Sequence, residues 1–418
     1  MKIAVIGSGI AGITAATLLS RRHQVTLLER ESRLGGHTRT IDVTGSDGRT
    51  HAIDTGFIVH NRRTYPNLLR FFRELGIATQ RSDMSMSVRC DGCDLEYAGA
   101  KGLSGALPTL KMATRYDHLS TLVQVKRFHL HGRAVLADST TSDLPLEAML
   151  EAGGYTEHFR QHFLRPLIAA VWSTPHQLTG DYPARYLLRF LDQHGMLSVG
   201  GSPTWRTVAG GARNYVERAA SRISTVRTGA DVVGLSRDRR GATVHIAPDE
   251  ELRVDAAVVA THADQALKLL EDPSEDEHRV LGAWRYTTNH ATVHTDTSRL
   301  PANLRASASW NARTADCGDD GGSVRVTYDL TRLMRLATSD RFCVSLNQDQ
   351  SIDPTLVHDR TVFSHPVYDL TSVSTQAELP QLDGVRQTWF CGAYQGWGFH
   401  EDGCASGVRV ARALGVDW

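Results

Sequence analysis

The stretch Lys2-Ile-Ala-Val-Ile6-Gly7-Ser-Gly9-Ile-Ala-Gly12, followed by Gln24-Val-Thr-Leu-Leu28-Glu29, decides the fold. Its first five residues are a short β-branched run that stops at a glycine, as a buried strand does before a tight turn. Residues 13–22 are rich in Ala and Leu and end in Arg21-Arg22, a helical pattern. The second apolar run stops at a carboxylate. Together these parts make a βαβ unit of the dinucleotide-binding kind. Gly7 allows the turn, Gly9 lets backbone approach a pyrophosphate, and Gly12 lets the helix close on the strand, with Ile10 and Ala11 between them. Glu29 lies twenty residues past Gly9, followed by Arg30. A carboxylate there accepts hydrogen bonds from ribose hydroxyls and repels a 2′-phosphate, so NADP is disfavoured.

The next residues favour FAD over NAD. Arg33-Leu-Gly35-Gly36 adds a glycine pair and a cation where the phosphates and ribityl chain of a longer cofactor would pass. Near the other end, Thr388-Trp-Phe-Cys391 reads as a strand, Gly392 to Gly403 as a glycine-rich loop and 404–414 as a helix. A second helix N-terminus is thereby available to a cofactor, carrying about half a positive charge. Aimed at the pyrimidine edge of a flavin, it would stabilise the reduced ring. His400 and Glu401 fall beside that edge and are the candidate acid and base. Their structural alternatives are a loop-fixing hydrogen bond for His400 and a favourable helix-terminus charge for Glu401. Tyr65 and Trp172 are weaker candidates for shaping a pocket.

The rest of the chain sets bounds. At about 150 residues per domain, 418 residues suggest two or three units. With 41% apolar residues, 22% charged residues and 46 basic groups against 46 acidic ones, the chain is an ordinary globular one, and nucleic acid is a poor partner for it. Six sparse cysteines fit a reducing cytoplasm better than a disulfide framework. The glycines at 7, 9 and 12 would break a signal-peptide helix, and no later run approaches the roughly 18 apolar residues of a membrane span.

Residues 38–54 read as a hairpin around Gly45-Ser-Asp-Gly48, 65–75 as a helix, and 84–98 as strand, turn, strand. Helices are expected at 105–130, 144–151, 155–171 and 184–194, a β-meander at 226–260, and strands at 289–295, 305–311, 323–329 and 341–347, forming an antiparallel sheet with the 84–98 hairpin. Lys101, Lys111 and Lys126 beside Arg115, Arg127 and Arg133 read as a solvated helix face or, alternatively, a peripheral membrane contact. Cys90-Asp91-Gly92-Cys93 reads as a type I′ hairpin turn flanked by two cysteines. A second CxxC is missing, so structural zinc has little support and no metal site is expected.

Through Gly7-x-Gly9-x-x-Gly12, Glu29, Arg33-x-Gly35-Gly36 and the segment from Gly392 to Gly407, the whole chain resembles the flavin amine oxidase, phytoene desaturase and protoporphyrinogen oxidase superfamily. It is most similar there to bacterial NAD/FAD-binding oxidoreductases encoded beside cyclopropane-fatty-acid synthases, through Asp54-Thr-Gly-Phe57, Arg63-Thr-Tyr-Pro66, Leu95-Glu-Tyr-Ala98, Ala260-Thr-His-Ala-Asp-Gln-Ala266 and Gly398-Phe-His-Glu-Asp-Gly403. The resemblance implies an α/β and β fold: a Rossmann-like, glutathione-reductase-type FAD domain (1–80, 205–265 and 384–418) interleaved with a substrate domain of antiparallel sheet and helices (81–204 and 266–383).

Carried over, Gly7, Gly9 and Gly12 would hold the pyrophosphate, Glu29 the adenosine ribose, and Arg33, Gly35 and Gly36 the phosphate-ribityl stretch. Gly56 and Phe57 would lie near the isoalloxazine, with Gly392, Asp402 and Gly403 near the ribityl chain and pyrimidine ring. Amine oxidases carry a Glu after the glycine of the last strand, where this chain has Ala393-Tyr394, so those contacts must differ. No cysteine lies between Cys343 and Cys391, so FAD is expected to be non-covalent. The implied activity is oxidoreduction at C–C bonds of a lipid or acyl-chain-like small molecule, by desaturation or alkene reduction with hydride transfer at flavin N5. A double-bond isomerase and an amine oxidase are the alternatives. A non-catalytic lipid carrier on the same fold is a third, against which the intact glycines and Glu29 argue.

Overall fold

The computed structural model describes residues 1–99, 101–138, 140, 142–198, 200–318 and 325–418. Among them, a parallel sheet of five strands runs in the order Thr225–Thr228, Gln24–Glu29, Lys2–Ile6, Ala256–Val259, Thr388–Phe390. Ile3 and Val5 pack on one face of the central strand, Ala4 and Ile6 on the other. Burial on both faces is why that strand is a continuous apolar run rather than an alternating one.

The first helix, Ile10–Leu19, is buried at all ten positions and has no polar stripe. It is flanked by the sheet and by the last helix, His400–Ala413, whose glycines permit the crossing. A Cβ at Gly403 would lie 2.6 Å from Cγ2 of Ile10, and one at Gly407 2.5 Å from the carbonyl oxygen of Ala11. This last helix starts at His400 rather than at the expected 404, because the Asp402 carboxylate accepts the N–H of Phe399 at 2.9 Å and caps the first turn.

A second sheet faces the first across the molecule, in the order Val357–Pro366, Tyr286–His294, Cys343–Leu346, Val326–Asp329, Trp310–Thr314, Met86–Cys90, Leu95–Gly99. It is not wholly antiparallel as expected: Trp310–Thr314 pairs in parallel with Met86–Cys90. The strand expected at 305–311 begins only at Trp310, and residues 323–324 of the expected 323–329 lie outside the described residues. The edge strand Val357–Pro366 is too polar to have announced itself from sequence.

The hairpin between Met86–Cys90 and Leu95–Gly99 forms, but not with a type I′ turn. Cys90 pairs with Leu95, leaving a four-residue loop in which Asp94, not Gly92, is left-handed (φ 55°). The helix expected at 105–130 is three: Gly102–Ala106 and Leu110–Thr114, parted at Pro108, and Tyr116–Ala137, which follows the extended Arg115. The helix expected at 155–171 passes through a wider π turn, Arg160–Leu164, before Arg165–Trp172. Pro166 has no N–H to offer the His162 carbonyl, which accepts the Tyr97 hydroxyl instead at 2.7 Å. No helix among the described residues is long and apolar enough to cross a membrane.

Candidate active site

A cavity of about 600 Å³ opens where the carboxyl ends of the parallel strands meet the second sheet. It brings together twelve of the residues singled out by sequence: Gly7, Gly9, Ile10, Ala11, Glu29, Arg30, Gly36, Gly56, Phe57, Tyr65, Gly392 and His400, but not Trp172. Gly12, Arg33, Gly35, Glu401, Asp402 and Gly403 are not among the described residues that line it.

The ones that line it fit a dinucleotide. A Cβ on Gly9 would meet no atom within 4 Å, so this corner has room for a pyrophosphate, and Gly9 precedes the unpaired first-turn N–H groups of the helix. The Glu29 carboxylate is held at the cavity edge by the Ser8 N–H (2.9 Å) and the Ser8 hydroxyl (2.6 Å). Gly392 lies at the far end, its N–H bound to the Ser406 hydroxyl at 3.0 Å.

The residues outside the lining shape it. A Cβ on Gly12 would lie 1.9 Å from the carbonyl oxygen of Gly7, so this glycine serves helix–strand packing. Gly35 donates its N–H to the Ser8 hydroxyl (3.0 Å), and Arg33 binds the Gly36 carbonyl (2.9 Å). Arg33 thus fixes the loop rather than facing the cavity, and burial holds its guanidinium below its usual range. Gly403 packs on Ile10.

The two candidate acid–base residues need correction. Glu401 is turned away: its carboxylate accepts the N–H groups of Asn67 (3.0 Å) and Leu68 (3.0 Å) and the Asn67 amide (2.7 Å), capping helix Pro66–Leu75. Burial raises its pKa, but its oxygens are committed. His400 does line the cavity, stacked on Phe57 with centroids 3.6 Å apart, but its Nε2 is engaged by Thr38 (2.8 Å) and the Tyr215 hydroxyl (3.2 Å). Burial holds this imidazole neutral, well below its usual range.

Three histidines that the sequence did not mark as candidates share the cavity. His37, His262 and His365 all line the cavity, with His37 centred 6.0 Å from His262 and 5.3 Å from His365. Burial depresses all three, His37 and His262 to about 4 and His365 to about 3. The side-chain N–H of Asn289 donates to Nδ1 of His365 at 3.0 Å, which leaves the proton of that ring on Nε2. His37 follows directly on Gly36, and that adjacency was the one signal in the sequence.

Away from the Glu29 end the wall is largely apolar and aromatic, with Val171, Phe190, Trp205, Trp310, Leu346 and Phe363, interrupted by His194, Lys268 and His365. The two carboxylates among the described lining residues, Glu29 and Asp231, both lie at the end where strand Gln24–Glu29 stops.

Fold and cavity define a flavin-binding oxidoreductase. The chain belongs to the family of flavin containing amine oxidoreductases, whose model matches residues 10–305, and FAD is its cofactor. Among solved structures it is similar to a cofactor-binding redesign of putrescine oxidase (TM-score 0.73, 14% identity, covering 99% of this chain and 98% of that one). It is also similar to a CLA-producing fatty acid isomerase from P. acnes (TM-score 0.71, 16% identity, 98% of each). A curated relative, the carotenoid phi-ring synthase of Streptomyces griseus, is 43% identical over 86 residues, 19% of this chain. That match spans only 16% of the relative's length.

Proposed function

We propose that the protein oxidises, reduces or isomerises a carbon–carbon bond in a lipid-like or acyl-chain substrate, with FAD held non-covalently along the Gly9 to Gly392 wall. The observation that carries this is the apolar, aromatic lining of the substrate half. An ammonium substrate needs a counter-charge in a dry pocket, and among the described lining residues that half offers no carboxylate. Segments 1–80, 205–265 and 384–418 form the cofactor half and 81–204 and 266–383 the substrate half. The carotenoid phi-ring synthase, named for apolar chemistry, supports this reading through its 86 matched residues.

Bound flavin supplies a centre that takes up or gives back a hydride equivalent. The chain's own residues then have three tasks. Val171, Phe190 and Trp205 exclude water and align an extended chain. His400, stacked on Phe57 and tied to Thr38 and Tyr215, fixes the loop at the start of the last helix, a positioning role. Nε2 of His365 holds the proton that a reduction or an isomerisation must deliver to carbon, with neutral His37 beside it.

The experiment is anaerobic bleaching of the flavin's visible absorption by long-chain unsaturated fatty acids, putrescine, NADH and NADPH in turn. Bleaching by a fatty acid supports desaturation. Bleaching by a nicotinamide, reversed by an unsaturated acid, supports reduction. Rapid bleaching by putrescine alone defeats the lipid reading.

A further inference from the structure

The two cysteines of the Cys90-Asp91-Gly92-Cys93 loop do not stand alone. The fold carries Cys317, from the segment after strand Trp310–Thr314, and His162, from the π turn, to the same point, and one ligand atom from each of the four lies within 4.8 Å of every other. We propose that Cys90, Cys93, His162 and Cys317 form a structural site for one tetrahedral zinc ion, outside the flavin cavity.

The distances fit an ion. With Zn–S near 2.3 Å and Zn–N near 2.0 Å, a tetrahedron has S···S edges of about 3.8 Å and S···N edges of about 3.5 Å. The Cys90 and Cys317 sulfurs are 3.8 Å apart, and Cys93 Sγ is 3.8 Å from Nε2 of His162. Sulfurs at that separation are not bonded, since a disulfide needs about 2.05 Å. His162 is buried, and its Nδ1 has no hydrogen-bond partner among the described residues. A metal on Nε2, the nitrogen that faces the Cys93 sulfur, would take its lone pair and leave the proton of the neutral ring on Nδ1.

Two local features build the cluster. Pro166 frees the His162 carbonyl for Tyr97, on the same hairpin as the cysteines, and so ties His162 to that hairpin. Gly92 lets the third segment in: a Cβ there would lie 2.7 Å from Cα of Asp316, one residue before Cys317.

Charge also balances. On binding, three thiols release their protons to solvent and neutral His162 contributes a lone pair, so the occupied site carries one net negative charge. The Arg115 guanidinium lies against Cys93, bonded to its carbonyl at 2.6 Å. Four protein ligands leave no open position, so the ion is a clip and not a catalyst. It pins the hairpin, the strand bearing Trp310, and the helix Arg165–Trp172, whose Ala170 and Val171 line the cavity.

The test is the metal content of the full-length flavoprotein, purified with a phosphine reductant, incubated with equimolar zinc and gel-filtered. About one zinc per chain is expected, falling below about a tenth in Cys93→Ser and Cys317→Ser. Cobalt(II) in place of zinc should give the d–d bands of a tetrahedral thiolate site, which lie to the red of flavin absorption. Flavin content, measured in parallel, shows whether the variants have folded. Should they fail to fold, wild-type stoichiometry and the cobalt spectrum decide alone. Wild-type protein with no retained zinc, stoichiometric iron with acid-labile sulfide, or a Cys90 disulfide whose reduced form takes up no zinc would each overturn the site.

Discussion

Gly9→Val and Gly12→Val, three residues apart, should fail in different ways. At Gly12 the new Cβ would sit 1.9 Å from the Gly7 carbonyl oxygen and 2.9 Å from Cβ of Ala260. The first distance is roughly 1.4 Å inside an ordinary carbon–oxygen contact. The helix must therefore move off the strand, an overpacking cost of about 1–3 kcal/mol that lowers the melting temperature of the apoprotein by a few degrees. At Gly9 the new Cβ meets nothing within 4 Å, and φ −57°, ψ 174° is accessible to valine. The loss of a favourable N-cap residue costs about 1 kcal/mol or less. The branched side chain would project into the corner proposed for the pyrophosphate, and a hundredfold loss of FAD affinity corresponds to about 2.8 kcal/mol. Flavin-to-protein ratio after gel filtration and apoprotein melting by circular dichroism measure the two effects separately. Gly9→Val that keeps wild-type flavin content would refute the reasoning, because the open corner would then not be where the cofactor lies.

Three further outcomes follow from the site. Glu401→Gln should destabilise the start of helix Pro66–Leu75 by about 0.5–2 kcal/mol with turnover nearly unchanged, since it loses charge-assisted bonds and not a proton donor; a tenfold drop in turnover at unchanged melting temperature would restore it as a catalytic group. Burial raises Asp54 to about 7, so its folded form holds its proton longer than the unfolded chain does. Wild-type stability relative to Asp54→Asn should therefore fall from about pH 4 to about 7 and level off above, read by urea unfolding at each pH; a difference that grows with pH contradicts this. With His37, His262 and His365 all depressed to about 3–4, kcat/KM should show no limb near 6.5, whereas a limb there that vanishes in His365→Gln would mean that ring titrates in the open.

The βαβ unit was legible because its physics is local: strand Lys2–Ile6, helix Ile10–Leu19 and strand Gln24–Glu29 each depend on neighbours in sequence. The C-terminal loop was legible for the same reason, through its glycines. The strand Val357–Pro366 was not, because an edge strand pairs on one side and its polar residues alternate with no apolar run. Glu401 was misread because a carboxylate at one helix start turned out to serve another, Pro66–Leu75, more than 300 residues away. His365 and the Cys90, Cys93, His162, Cys317 cluster were invisible on similar grounds: spacing within a segment says nothing about which distant segment the sheets bring alongside.

The crossing of helix Ile10–Leu19 with helix His400–Ala413 also bears on how the protein matures. Nearly the whole chain separates the two partners, so this contact is among the last to form, and contacts of such long sequence separation form slowly. Until the later helix has emerged from the ribosome and docked, Ile10 and Ala11 lack their cover and the Gly392 end of the cavity does not exist. Coenzyme capture would then wait on the docking of helix His400–Ala413, and nascent chains arrested before residue 400 should emerge colourless.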